Sequence, residues 1–161
     1  MAITVTRIDD RLIHGQTASS WLSYVGAEQI ICISDSAVAN PIQAQVLKMA
    51  ATNYIVHIFG VEQFIKIYNN NPIKRSTFLI LESSADALEL ITNGVNVERI
   101  NFGGMRARAD RTISYAHDLC FTQKELAAID ELYNLGIKLE YQVAAYDAPI
   151  DLKKYMANVK E

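Results

Sequence analysis

The chain has 161 residues, 50% of them hydrophobic, and a chain of this length buries roughly 70% of the surface that its unfolded form exposes. Its 15 Lys and Arg residues are outnumbered by 18 Asp and Glu residues, for a formal net charge of -3. This balance excludes the basic surface of a nucleic-acid-binding protein and the polybasic tail of a membrane-surface protein. We therefore expect a single domain over residues 1–161 that does not bind nucleic acid.

The two cysteines form no CxxC pair, and no histidine stands at metal-ligand spacing from them. Cys32 lies inside a strand-like run and Cys120 lies near another, so both are predicted to be buried thiols in a reducing compartment. The apolar stretches are too short to span a bilayer, and the N-terminus lacks the basic and then apolar segments of a signal peptide. These features predict a cytoplasmic protein.

Short apolar runs alternate with helical patterns along the chain, which is typical of an α/β fold with a mainly parallel sheet. The runs rich in Ile, Val or aromatic residues predict strands over residues 3–8, 29–33, 55–59, 77–81 and 99–102. The segments between them predict helices over residues 15–24, 41–51, 61–68 and 84–92. Each helix is expected to cover one face of the sheet.

The regular alternation changes after Phe102. Gly103 and Gly104 open a predicted polar loop at the carboxyl end of a strand, and an extended pattern resumes over residues 112–115. The loop contains four charged residues: Arg106, Arg108, Asp110 and Arg111.

The last third of the chain predicts a helix, a strand and a second helix. Thr122 and Glu125 have the spacing of a capping box, and an amphipathic pattern follows them up to Gly136. A strand is predicted over residues 138–144, and a short helix is predicted to begin at Asp151.

The most informative segment is residues 9–16, Asp-Asp-Arg-Leu-Ile-His-Gly-Gln, which directly follows the first predicted strand. A loop between a strand and a helix lies at the carboxyl edge of a parallel sheet, where such folds bind ligands. The first turn of the helix adds unpaired backbone N–H groups, which favour an anion. The segment therefore predicts an anion-binding site, with phosphate as the expected ligand.

Residues 7–16, Arg-Ile-Asp-Asp-Arg-Leu-Ile-His-Gly-Gln, resemble the phosphorylation-site segment of the IIB components of the mannose/fructose/sorbose family of sugar phosphotransferase systems. The resemblance continues in segments spread over essentially the whole chain: 33–36, 47–51, 100–105, 135–137 and 151–152. It implies a three-layer α/β/α fold, with a central, mainly parallel sheet between two helical layers.

The resemblance also implies the activity and the partners. A IIB domain accepts a phosphoryl group on the motif histidine from a phosphorylated IIA protein and passes it to a sugar during uptake through the membrane IIC and IID components. By resemblance His14 is that histidine, and the protein is expected to be cytoplasmic and peripherally associated with the permease. The transported sugar and the oligomeric state, including whether the chain forms a homo-oligomer, stay open.

Imidazole suits a phosphoryl carrier, because its ordinary pKa near 6.5 leaves one ring nitrogen free to attack phosphorus at cytoplasmic pH. The other nitrogen keeps its proton, and the protein must fix that tautomer. We expect either Asp10 or a backbone carbonyl to accept this N–H and orient the ring. His57, inside a predicted strand, is expected to be a hydrogen-bonded structural residue, and His117 lies in a loop.

Arg11 is expected to bind the transferring phosphoryl group, because its planar guanidinium can donate to two oxygens and neutralise the developing charge. The alternative is a solvated ion pair with Asp9 or Asp10, worth under about 1 kcal/mol. With guanidinium and backbone N–H groups supplying positive charge, the predicted transfer needs no metal or other cofactor.

Other residues are weaker candidates for the phosphate site. Gly15 allows a close turn and Gln16 offers an amide donor, although both also fit simple helix capping. Gly103 and Gly104 are expected to form a turn whose bare backbone approaches the anion. Two further candidates, Asp35 and Ser36, end another strand at the same edge and either line the site or cap the next helix.

Two other functions remain open from the sequence. A phosphate- or nucleotide-binding regulatory module would use the same loop without covalent chemistry, although the chain lacks both GxxxxGK[ST] and GxGxxG after a strand. A small histidine-dependent hydrolase would need an activated water or serine and a substrate cleft.

Overall fold

The computed structural model describes residues 2–15 and 17–159. The strands are β1 (Ile3–Asp9), β2 (Gln29–Ile33), β3 (Ile55–Phe59), β4 (Thr77–Leu81), β5 (Arg99–Gly104), β6 (Ile113–Ala116), β7 (Leu119–Phe121), β8 (Lys138–Tyr141) and β9 (Ile150–Asp151). The helices are α1 (Ser23–Val25), α2 (Asp35–Val38), α3 (Pro41–Met49), α4 (Val61–Asn70), α5 (Ser84–Thr92), α6 (Gln123–Asn134) and α7 (Leu152–Val159), with a π-helical segment, Thr17–Leu22, directly before α1.

A seven-stranded sheet forms the centre of the fold, in the order β3-β2-β4-β1-β5-β8-β9. Every pairing in it is parallel except that of β8 with β9. On β1, Ile8 is in register with Leu81 of β4 and with Phe102 of β5. The strand that carries the candidate loop therefore lies in the middle of the sheet, with its carboxyl end beside those of its two neighbours.

Alternation along the buried strands divides the core into two layers. Even-numbered residues of β2 and β4, such as Cys32 and Ile80, pack with the π-helical segment and α3. Odd-numbered residues, such as Ile33 and Leu79, pack with α4, α5, α6 and α7 on the other face. All ten residues of these two strands are buried, and full burial of one Ile or Leu side chain contributes roughly 1.5–3 kcal/mol. This arrangement confirms the three-layer α/β/α fold.

The five predicted strands of the parallel sheet are all present, and β1 and β5 run on to Asp9 and Gly104. The capping box is confirmed, since the Thr122 hydroxyl accepts from the N–H of Glu125 and the Glu125 carboxylate accepts from the N–H of Thr122. The predicted last strand is shorter than expected and ends at Tyr141.

The sequence did not predict α2, β7 or β9, each of which has four residues or fewer. Such short elements bury too few side chains to show a periodic pattern. The first helix is also different from the prediction, because its first described turns are π-helical rather than α-helical. No helix within residues 2–15 and 17–159 combines the length and the hydropathy needed to cross a bilayer.

Candidate functional site

The loop that carries His14 begins at the carboxyl end of β1 and lies against the end of β5. The backbone N–H of Asp10 donates to the carbonyl of Gly104 (3.1 Å), and the N–H of Leu12 donates to the carbonyl of Asp9 (2.8 Å). These two bonds close a tight turn at the edge of the sheet where parallel α/β folds bind their ligands.

Leu12 holds this turn in an uncommon backbone conformation. Its φ of 58° lies in the left-handed region, which costs a residue with a Cβ roughly 1–2 kcal/mol. The Leu12 side chain is buried in the same core layer as Trp21 and Leu22, and burial of a leucine contributes roughly 1.5–3 kcal/mol. Packing therefore stabilises the reversal of the chain that precedes His14.

The imidazole of His14 lies against Asp9. Its Nε2 atom is 3.4 Å from Oδ2 of Asp9, and the His14 side chain is 23% exposed whereas Asp9 is fully buried. Burial is the largest influence on the pKa of Asp9 and raises it, but hydrogen bonds from His14 and Arg11 outweigh it, so the pKa lies well below its ordinary value. An ionised carboxylate only accepts hydrogen bonds, so Nε2 carries the proton and Nδ1 of a neutral ring is left with its lone pair.

Guanidinium groups surround the Asp9 carboxylate. Arg11 donates from Nε to Oδ1 (3.1 Å) and from Nη2 to Oδ2 (3.0 Å), and its backbone N–H also donates to Oδ1 (3.1 Å). Arg106 Nη1 donates to Oδ1 (3.1 Å), and Arg7 Nη2 lies 3.8 Å from Oδ2. A buried charge with these partners is compensated, whereas loss of one partner from such a group costs several kcal/mol.

Arg7 is buried beneath the Asp9 carboxylate. Its guanidinium lies 4.3 Å from the ring centre of Trp21 and donates to Asn101 and to the carbonyls of Gln142 and Val143. Burial lowers the pKa of Arg7 to about 10, with the charge of Asp9 acting in the opposite direction. The group therefore stays charged at neutral pH and fixes the end of β1 to the segment after β8.

The expectation that Asp10 orients the histidine is wrong for this structure. Asp10 Oδ1 accepts from Arg106 Nη1 (2.8 Å), and Oδ2 accepts from the N–H of Arg106 (2.7 Å) and from Arg111 Nη1 (2.8 Å). Asp9, one residue earlier, is the carboxylate that contacts His14. Successive side chains at a strand end point in different directions, and spacing alone did not predict which of the two acids faces the ring.

Arg11 is placed beside the histidine but forms the ion pair that the sequence offered as the alternative to phosphate binding. Its guanidinium donates to both Asp9 oxygens, and its side chain is 38% exposed. This geometry is bidentate and leaves part of the guanidinium facing solvent. Arg11 is therefore both an ion-pair partner of Asp9 and an accessible donor for an anion at His14.

The predicted turn at Gly103 and Gly104 is also wrong, because both residues are the buried last residues of β5. A Cβ at Gly103 would lie 2.1 Å from Nη2 of Arg7, and a Cβ at Gly104 would lie 2.8 Å from Nη1 of Arg106. The two glycines therefore make room for two guanidinium groups over the strand, rather than exposing backbone N–H groups to an anion.

Asp35 and Ser36 lie in the first turn of α2, and the contacts of each lead away from His14. Asp35 Oδ1 accepts from the N–H of Val61 (2.9 Å), which is the first residue of α4. Ser36 Oγ donates to Glu82 Oε1 (3.2 Å). Neither residue caps the next helix as the sequence offered, because Ser34 caps α2 by accepting from the N–H of Ala37. Asp35 instead accepts at the start of α4, and Ser36 contacts Glu82 after β4.

The remaining candidates are less informative. Gly15 is exposed, and a Cβ there would meet no atom within 4 Å, while Gln16 lies outside the described residues. His57 was expected to be a hydrogen-bonded structural residue but is exposed on the edge strand β3, stacked on Phe59. His117 is also exposed. Within residues 2–15 and 17–159, neither of these histidines forms an ion pair with a carboxylate such as the one between His14 and Asp9.

Sequence reasoning missed Asp9 as the partner of the ring and Arg106 as a member of the site. The available signal was the cluster of charged residues after Gly104, which the sequence placed at the same sheet edge. Only the pairing of β1 with β5 brings that cluster beside residues 9–14.

Comparison with known proteins gives consistent results over the length of the chain. The family model described as "PTS system sorbose subfamily IIB component" matches residues 3–161. The sorbose-specific EIIB component of Lacticaseibacillus casei is 34% identical over 155 residues, which cover 94% of this chain and 93% of that protein. The mannose-specific EIIAB component of Escherichia coli (strain K12) is 29% identical over 161 residues, which cover 99% of this chain and 50% of that protein.

A solved structure agrees at the level of the fold. The crystal structure of the IIB domain of the sorbose permease from Klebsiella pneumoniae superposes with a TM-score of 0.88 and 28% sequence identity, and the match covers 98% of each chain.

Proposed function

Because the chain belongs to the sorbose subfamily of IIB components of the sugar phosphotransferase system, we propose that His14 is its phosphoryl carrier. In this proposal His14 takes the group from a phosphorylated IIA protein and passes it to a sugar during uptake through the membrane IIC and IID components. One observation carries the assignment: the His14 ring is partly exposed at the carboxyl edge of the sheet, with Nε2 against the buried carboxylate of Asp9.

In the first transfer the lone pair on Nδ1 of His14 attacks the phosphorus atom. The new Nδ1–P bond forms as the N–P bond to the donor breaks, and that electron pair returns to the donor nitrogen. The proton on Nε2 stays in its hydrogen bond to Asp9, so the positive charge that develops on the imidazole lies beside a carboxylate. Asp9 thereby stabilises the phosphorylated ring and fixes which nitrogen reacts.

Arg11 supplies positive charge to the phosphoryl group. A phosphoryl group on a side chain carries roughly two negative charges near neutral pH, and a planar guanidinium binds two of its oxygens at once. Arg11 is the exposed member of the Asp9 ion-pair group, so a rotation of its side chain carries the guanidinium from the carboxylate to the phosphate. Positive charge is then in place without reorganisation of the core.

In the second transfer a sugar hydroxyl oxygen attacks phosphorus, the Nδ1–P bond breaks and its electron pair returns to His14. The hydroxyl proton is released to solvent as the O–P bond forms. The transfer partners are other proteins, which agrees with a reactive ring at a surface edge. The Escherichia coli relative is named as an EIIAB component, and this chain spans about half of it, which supports a IIA protein as the donor.

The test is incubation of the purified chain with a phosphorylated IIA protein. We expect one acid-labile, base-stable phosphoryl group per chain, placed on His14 by mass spectrometry of peptides. His14→Ala should abolish the label, and His117→Ala, which removes an exposed histidine elsewhere, should keep it.

Other outcomes would identify the rival functions. Retention of phosphate without a covalent label would show a non-covalent anion-binding module, and steady release of inorganic phosphate or another free product would show a hydrolase.

A further inference from the structure

Arg106 is held in the site by hydrogen bonds from both its backbone and its side chain. Its backbone N–H donates to Asp10 Oδ2 (2.7 Å), and its Nη1 donates both to Asp10 Oδ1 (2.8 Å) and to Asp9 Oδ1 (3.1 Å). Both ends of the residue are therefore attached to the same acidic pair, with the guanidinium in contact with the carboxylate that faces His14.

A second arginine fixes the backbone on which Arg106 stands. The fully buried Arg111 donates from Nη1 to the carbonyl of Arg106 (3.0 Å) and to Asp10 (2.8 Å), and its other guanidinium atoms donate to Glu125 at the start of α6. Below the side chain, Gly104 leaves the space in which the Arg106 guanidinium lies. The position of Arg106 is thus set by β1, β5 and α6 together.

Arg11 is attached in a different way. Among the residues that the structure describes, its side chain forms hydrogen bonds and ion pairs only with Asp9, and it is 38% exposed. When Arg11 turns to a phosphoryl group, Asp9 loses the hydrogen bonds from Nε and Nη2. Arg7 stays 3.8 Å from Oδ2, beyond hydrogen-bond distance, which leaves Arg106 as the guanidinium that still donates to Asp9.

We propose that Arg106 is a positioning residue that holds the Asp9 carboxylate against Nε2 of His14 while Arg11 is engaged with the phosphoryl group. This inference rests on the proposed function, and it gives Arg11 and Arg106 different roles. Arg11 exchanges its partner during transfer, whereas Arg106 keeps its place. A buried carboxylate with no charged hydrogen-bond donor would lose its orientation or its charge, and the ring would then lose the partner of its N–H group.

The test compares single-turnover phosphorylation of His14 in matched variants, with a phosphorylated IIA protein as donor. Arg106→Gln should slow the transfer by about tenfold, the lower end of the effect of residues that orient a reactive group, with little change in the concentration of donor needed for half-maximal rate. Arg106→Lys keeps a cation and should recover most of the rate. Arg108→Gln, a neighbouring arginine that is 47% exposed, should stay within about twofold of the unaltered protein.

A double-mutant cycle identifies the route by which Arg106 acts. In an Asp9→Asn background, Arg106→Gln should slow transfer by less than about twofold further, because its target is already gone. An equal slowing in both backgrounds would mean that Arg106 acts on the phosphoryl group itself and would overturn the inference. So would an Arg106→Gln variant that transfers at the unaltered rate.

Two controls separate this inference from folding and from the proposed function. Gly104→Ala retains the arginine but places a Cβ 2.8 Å from its Nη1 atom, so it should slow transfer severalfold by moving the guanidinium, even if Arg106→Gln is poorly folded. Unchanged transfer in Gly104→Ala would count against the inference. If the unaltered chain acquires no label on His14, the proposed function itself fails, which is a different result from a labelled chain that is indifferent to Arg106.

Discussion

The carboxyl edge of the sheet carries two groups of acidic side chains in opposite surroundings. At the ends of β1 and β5, Asp9 and Asp10 accept hydrogen bonds from three arginines, and the pKa of Asp9 is lowered despite complete burial. After β4, Glu82 and Asp86 are half-buried, and burial raises the pKa of both, that of Asp86 to about 6.

The difference lies in the hydrogen-bond donors and not in the acids. Glu82 accepts from the hydroxyls of Ser34 and Ser36, which carry no charge, and Asp86 lies near further carboxylates, Glu82 and Asp35. Burial disfavours a charged carboxylate in both places, but at Asp9 the hydrogen bonds from the His14 ring and from Arg11 outweigh it. In the proposed transfer, the phosphoryl group, which is an anion, would therefore be favoured at the arginine-rich end of β1 over the acidic end of β4.

The largest expected effect comes from removing the charge at the centre of the arginine-rich group. Asp9→Asn replaces an acceptor by an amide and leaves Arg7, Arg11 and Arg106 facing one another. We expect His14 phosphorylation to slow by about 100-fold and the free energy of unfolding to fall by roughly 3 kcal/mol, measured by single-turnover labelling and urea titration. Transfer at the unaltered rate would mean that Asp9 does not orient the ring.

The next largest effect comes from displacing guanidinium groups with a methyl group. Gly103→Ala would place a Cβ 2.1 Å from the buried Arg7, and we expect it to lower the free energy of unfolding by roughly 3 kcal/mol. Gly104→Ala meets the end of the partly exposed Arg106 side chain and should cost roughly 1 kcal/mol. Urea titration of both variants checks this order, and equal losses would show that the buried arginine has room to move.

A pH effect is expected from the acidic group. Because the pKa of Asp86 is raised to about 6, its protonated form is favoured in the folded chain. Its contribution to stability is present below its ordinary pKa near 4 and is lost as the pH rises through about 6.

Asp86→Asn should remove this loss, worth up to about 2 kcal/mol after allowance for partial exposure. The check is the thermal midpoint of both proteins between pH 4 and pH 7. Parallel curves for the two would show that Asp86 does not titrate in this way.

The smallest expected effect on stability comes from Arg108, a charged neighbour of Glu82 in the acidic group. Its ion pair with Asp110 (3.3 Å) is on the surface, where such pairs contribute under about 1 kcal/mol. Its contact with the buried Glu125 carboxylate is longer (3.7 Å), and Arg111 already pairs with that carboxylate at 2.9 Å. Arg108→Gln should therefore change the thermal midpoint by no more than about 2 °C. A larger drop would mean that Arg108 helps to compensate Glu82 and that the two groups are not independent.

Local patterns in the sequence were enough for much of the fold. Apolar residues on both faces predicted strands buried from both sides, as β2 and β4 are, whereas the edge strand β3 is only partly buried. Thr122 with Glu125 produced a capping box because that contact lies within one helical turn. The loop of the candidate site was also singled out from the sequence, because its acids, cation, imidazole and glycine are contiguous and directly follow a strand.

Only the tertiary structure decided which groups in that loop face one another. Asp9 rather than Asp10 contacts His14, and Gly103 and Gly104 accommodate arginines instead of exposing their backbone, because β1 pairs with β5 and brings residues 9–14 beside residues 103–111. That pairing joins segments more than 90 positions apart, and neither periodicity nor spacing carries information over such a distance. The sequence therefore determined which loop carries the candidate site, and the packing of two strands determined how the charges of that loop are arranged.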